Sequence, residues 1–123
     1  MLAVSRQLGI ESPLIPRIAT AFGGGMGRSG EVCGAVVGAL MCIGIVHGRE
    51  EPEQSDVEAY ALARSLLQAF RQEMGSIDCR ELTGHDLSTP EGVQAFRNSD
   101  VPMRVCLRAA GFAYDETLKL LEA

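Results

Sequence analysis

The sequence predicts an all-α protein: a compact single-domain bundle of five to six helices over residues 1–123, built around a Gly/Ala-rich central helix. Three observations support this. Glycines at 9, 48, 75 and 84, with the Ser12-Pro13 and Thr89-Pro90 pairs, cut the chain into pieces of helical length. Almost no segment alternates apolar and polar residues as a half-buried strand must. The longest uncharged run, Val32 to Val46, has 15 residues. A membrane span needs about 20, so this run reads as a buried core helix.

The elements follow in order. Met1 to Leu8 reads as the end of a helix closed by Gly9, and Ser12-Pro13 opens a helix over Pro13 to Phe22. Gly23 to Gly30 is a flexible loop that lets backbone come close to another element, one bearing a thiol. The central helix runs from about Glu31 to His47. Its Gly34, Gly38 and Gly44 remove side-chain bulk so that neighbours approach closely, at roughly 1 kcal/mol of helix propensity each. Ser55 and Glu58 have capping-box spacing, and the helix they open carries Val57, Tyr60, Ala63, Leu67, Phe70 and Met74 as one apolar stripe. Ser76 caps a short helix, Ile77 to Thr83. Thr89 starts another that reaches Arg97. Asp100 caps the last, which runs to Leu121 with Met103, Cys106, Ala110, Ala113, Thr117 and Leu120 on one stripe.

The net charge of −5 and the scatter of single basic residues exclude a nucleic-acid surface, which needs a basic face. They offer nothing to an anionic membrane, and no membrane insertion is expected. Met1 to Gly9 has neither a basic leader nor an A-x-A site. The expected compartment is therefore the cytoplasm, where stable structural disulfides are rare. No Ser-His-Asp ordering, H-E-x-x-H or G-K-[ST] phosphate loop is present. His47 and His85 read as solvated rather than liganding.

The four cysteines carry the chemistry. Cys33 falls about three residues into the central helix, counted from a cap at Ser29 or Gly30, and Cys79 holds the third helical position after Ser76. Unpaired first-turn N–H groups favour the thiolate, and Arg28 and Arg80 add positive potential. Cys106 lies in the second turn of the last helix between Arg104 and Arg108. Cys42 sits nine residues after Cys33, on the opposite helix face, and reads as core. No paired zinc-ligand spacing occurs.

Phe22-Gly-Gly-Gly-Met-Gly-Arg-Ser-Gly-Glu-Val-Cys33-Gly-Ala-Val-Val-Gly38-Ala39, then Gly75-Ser-Ile-Asp-Cys79-Arg-Glu-Leu-Thr-Gly84, then Cys106 in a terminal helix, closely resemble the C_GCAxxG_C_C family. These are small bacterial and archaeal proteins named for their cysteines. The resemblance covers roughly Leu2 to Leu121 and matches Cys33, Cys79 and Cys106 to three of the four family cysteines. It implies redox activity or metal binding, with an oxidoreductase or transporter component as partner. The family's first cysteine precedes the glycine loop. Met1 to Gly9 looks like the tail of its helix and holds no cysteine, so the start is expected to lack part of the first family helix.

Three functional readings follow. In the first, Cys33 with Cys79 and/or Cys106 forms a redox-active thiol/disulfide site. In the second, the same three cysteines are thiolate ligands, and the cofactor is a zinc or copper ion or an iron–sulfur cluster. In the third, the chain is a non-catalytic helical interaction module whose cysteines are merely buried.

Overall fold

The computed structural model describes residues 1–122. Its seven right-handed α-helices are α1 (Leu2–Gln7), α2 (Leu14–Ala19), α3 (Gly34–His47), α4 (Val57–Met74), α5 (Cys79–Thr83), α6 (Pro90–Arg97) and α7 (Leu107–Glu122). A 3₁₀ turn, Thr20–Phe22, extends α2, and a π-helical turn, Pro102–Cys106, leads into α7. Among the described residues there is no strand, only an isolated antiparallel bridge between Val32 and Asp78. No described helix is long and apolar enough to cross a membrane. The all-α expectation holds.

Helices α3, α4 and α7 pack against one another, and their shared core is Val36, Ala39, Ile43, Leu66, Phe70, Ala109 and Ala113. Phe70 and Phe112 meet edge to face with centroids 6.1 Å apart. Fully burying side chains such as Val36, Ile43, Leu66 and Phe70 stabilises the fold by about 1.5–3 kcal/mol each before entropy is charged. The central position of α3 is as expected, and Gly38 lets the Met1 backbone lie against it. Gly44 has no neighbour to admit, because with Ile45 and Val46 it is exposed at the end of α3.

Other details differ from expectation. Pro13 is the cap of α2 rather than its first residue, and Ser12 Oγ accepts the Leu14 N–H at 3.2 Å. The capping box at α4 does not form. Asp56 takes the cap position, while Ser55 Oγ accepts the Val57 N–H at 3.3 Å. Val57 and Tyr60 are exposed, Leu66 and Phe70 are fully buried, and Ala59, Leu62, Leu67 and Met74 are half-buried against the same core. At the other end of the chain, Met103 is 70% exposed and off the apolar stripe of α7. His47 Nδ1 lies 3.3 Å from the Glu58 carboxylate, and His85 stacks edge-on to Phe96, so neither ring is merely solvated.

Gly23 to Gly30 is not a floppy loop. Five consecutive residues, Gly24 to Arg28, hold positive φ values of 63°, 65°, 68°, 59° and 65°. This is a left-handed turn, which disfavours ordinary L-residues by about 1–2 kcal/mol each. Three glycines avoid that penalty, while Met26 and Arg28 bear it. The turn is held by N–H donation from Gly27 to the Ala21 carbonyl (2.8 Å), Arg28 to Gly23 (3.1 Å) and Glu31 to Gly25 (2.9 Å).

Candidate functional site

The bridge joins the end of the left-handed turn to the start of α5. Cys33 N–H donates to the Ile77 carbonyl at 2.7 Å, Cys79 N–H to Glu31 at 2.7 Å, and Arg80 N–H to Gly30 at 3.1 Å. In an antiparallel pair centred on Val32 and Asp78, residues 33 and 79 project to the same face. Chain segments about forty-five residues apart in sequence are thereby fixed with their thiols on one side.

Each cysteine sits differently from its sequence placement. Cys33 is the cap of α3 rather than an interior first-turn residue, and helix α3 begins at Gly34. The Gly34 and Ala35 N–H groups behind it have no partner among the described residues, since the Cys33 carbonyl takes Val36 and Val37. Cys79 is the first residue of α5, capped by Asp78, whose carboxylate accepts the Glu81 N–H at 3.0 Å. Cys106 closes the π-turn, in which Leu107 N–H reaches back five residues to the Pro102 carbonyl. Such turns recur at functional sites because the extra residue rotates a side chain out of helical register.

Cys33, Cys79 and Cys106 line one pocket of about 410 Å³. Gly24 and Gly25 of the left-handed turn floor it, and Leu87, Val93 and Phe96 wall it from the α5–α6 side. Cys33 and Cys106 are half-buried, while Cys79 is only 7% exposed. All four thiols are free. Cys42 stands apart as expected, 1% exposed in the core, its thiol directed at the Met1 carbonyl 3.6 Å away. Helix α1 contributes nothing to the pocket lining.

The electrostatics correct one expectation. Burial, then the neighbouring Cys33, Cys106 and Asp78, push the Cys79 thiol from 9.0 up to about 11. Burial, then Cys33, also raises Cys106. Desolvation therefore outweighs helix-terminal amides at Cys79, and that sulfur is a protonated thiol at neutral pH. Flanking arginines give little help, because Arg80 pairs with Asp86 (3.7 Å), Arg104 with Asp100 (3.0 Å) and Arg108 with Glu73 (3.0 Å). The sign of the pH effect follows. The folded chain holds the Cys79 proton more tightly than the unfolded chain, so this stabilisation is complete below pH 9 and is lost as pH rises through 11. Urea midpoints should fall across that window, and fall less in Cys79→Ala; an equal fall in both proteins would remove the assignment.

As a metal site the arrangement does not fit. Among the described residues no three His, Cys, Asp or Glu side chains are grouped closely enough to hold an ion.

Sequence reasoning named the three thiols and Arg28, and its expected approach of the glycine loop to a thiol-bearing element is met where Gly25 lies against Cys79. It missed Leu87, Phe96 and Arg97, which reach the pocket through tertiary packing alone. A helical bundle presenting several thiols to one open pocket defines the class of a thiol-bearing α-protein. The chain belongs to the C_GCAxxG_C_C family, described as "Putative redox-active protein (C_GCAxxG_C_C)", whose model matches residues 1–120. No curated protein and no solved structure matches it.

Proposed function

We propose that this chain is a thiol/disulfide redox protein, a single helical domain whose site is Cys33 with Cys79 and/or Cys106. The observation that supports this most is the convergence of three thiols from three separate segments on one open pocket. A cysteine used only for packing looks like Cys42, sealed in hydrocarbon. Cys33 and Cys106 are half-exposed, and Cys79, though buried, borders the same pocket.

In this reading Cys33 attacks. It is half-exposed and caps the N-terminus of α3, the helix end that favours negative charge. Cys33 sulfur forms a bond to one sulfur of a disulfide, and the other sulfur leaves as a thiolate. Cys79 or Cys106 then attacks the mixed disulfide, forming the protein disulfide and expelling the second thiolate. The two protein thiols lose two electrons and two protons, and the substrate disulfide gains both as two thiols. A reducing cytoplasm and an oxidoreductase or transporter component that restores the dithiol suit this cycle.

Mild peroxide treatment of the native reduced protein tests the reading. Two thiols become untitratable, and peptide mapping finds them joined between two of positions 33, 79 and 106. If all four remain free, or modification is confined to Cys42, the reading is wrong.

A further inference from the structure

The pocket also carries a charge pattern that points to a substrate class. In a chain of net charge −5, its lining includes two arginines, Arg28 and Arg97, and no carboxylate. The adjoining hollow shares Arg28, Leu87, Val93 and Arg97 with it and likewise has no acidic residue in its lining. Neither arginine has an ion-pair partner among the described residues, whereas Arg80, Arg104 and Arg108 all do. Arg28 is held there by the backbone: it sits at φ +65°, the last residue of the left-handed run. Its side chain folds over Gly24, where a Cβ would lie 2.8 Å from the Arg28 Cγ and 3.8 Å from Leu87. A non-glycine residue kept in that strained region, with a glycine cleared beneath its side chain, is positioned rather than incidental.

We infer that the pocket takes a low-molecular-weight disulfide bearing carboxylates, whose charged ends meet Arg28 and Arg97 while its sulfurs reach the thiols. The inference rests on the redox reading above and deepens it. About 410 Å³ is at the lower end of small-ligand sites, and Leu87, Val93 and Phe96 suit an apolar or aromatic body. Two exposed guanidiniums, with no acidic residue in the pocket lining, concentrate anions there and repel cations. The exchange is the one already written: one disulfide bond broken, one protein disulfide formed, two carboxylate-bearing thiols released with the two protons.

Exchange rates of the full reduced chain test it with three probes: the dianionic dithiobis-nitrobenzoate, the neutral dithiodipyridine and the dicationic cystamine. Each rate is divided by that probe's rate with free N-acetylcysteine amide, a neutral thiol, which removes intrinsic reactivity. The corrected rate for the dianion should exceed that for the dication by about tenfold or more, and the ratio should shrink as salt rises. Arg97→Gln should cut the dianion-to-neutral ratio several-fold, and Arg28→Gln should do the same. Arg97 lies in a right-handed helix, so its variant keeps the test standing if Arg28→Gln misfolds. A protein disulfide that forms with no charge preference, or with one that Arg97→Gln leaves unmoved, overturns the substrate class and spares the redox reading. No protein disulfide with any probe overturns both.

Discussion

Replacing Gly25 by alanine should destabilise the protein by about 2–5 kcal/mol, summing about 1–2 kcal/mol for a left-handed L-residue and about 1–3 kcal/mol for overpacking. Both contributions are visible at this position. Gly25 holds φ +65°, and a Cβ there would lie 2.5 Å from the Cys79 Cβ and 2.8 Å from both the nitrogen and the oxygen of Glu31. Backbone cannot step aside as a side-chain tip can. Glu31 is the hinge of the site, since its N–H donates to Gly25 and its carbonyl receives the Cys79 N–H. Pushing Glu31 away breaks the bridge that sets Cys79 beside Cys33. Gly75 provides the control. It has φ +87°, and a Cβ there would meet nothing within 4 Å, so Gly75→Ala should lose only about 1–2 kcal/mol, the backbone penalty alone. Urea midpoints of the two variants decide. If Gly25→Ala is no worse than Gly75→Ala, the close approach of the turn to Cys79 is not what holds the site.

How much of this was legible in the sequence depends on whether local rules or tertiary contacts decide each feature. Helix α6 was legible because Thr89 and Pro90 settle its start locally: Thr89 Oγ1 accepts the Gly92 N–H at 3.0 Å. Helix α4 was found but misphased in its first turns: Val57 and Tyr60 are exposed where Ala59 and Leu62 pack, while Leu67, Phe70 and Met74 face the core as expected. The stripe through Met103 and Cys106 failed for another reason. A 3.6-residue period cannot be carried through a π-turn, whose extra residue resets the phase at Leu107. The glycine run signalled a close backbone approach to a thiol-bearing element, which the turn makes at Cys79, but not its left-handed path, because glycine runs signal only freedom. The thiols at 33, 79 and 106 stood out because glycine, Ser76 and the terminal helix marked their surroundings. Arg97 and Phe96 did not, since α6 docks against the pocket without any cue in its own residues.

Removing Cys33 should abolish intramolecular disulfide formation, slowing it by more than about a hundredfold, because oriented intramolecular groups act at effective concentrations far above any free thiol. Cys33 is the thiol felt by both others: it is the leading neighbour that raises Cys79 after burial, and the neighbour that raises Cys106. Cys79 and Cys106 then remain as a pair of thiols disfavoured as thiolates, without the sulfur that begins the exchange. Cys42→Ala should behave oppositely. It deletes one heavy atom from the core and costs about 1 kcal/mol of stability, yet leaves thiol exchange at its original rate because its sulfur faces Met1 rather than the pocket. The paired measurement is the rate of protein disulfide formation against the urea midpoint in each variant. A Cys33→Ala protein that still closes a disulfide at the wild-type rate would shift the attacking role to Cys79 or Cys106, and a Cys42→Ala protein that cannot close one would put the site in the wrong part of the molecule.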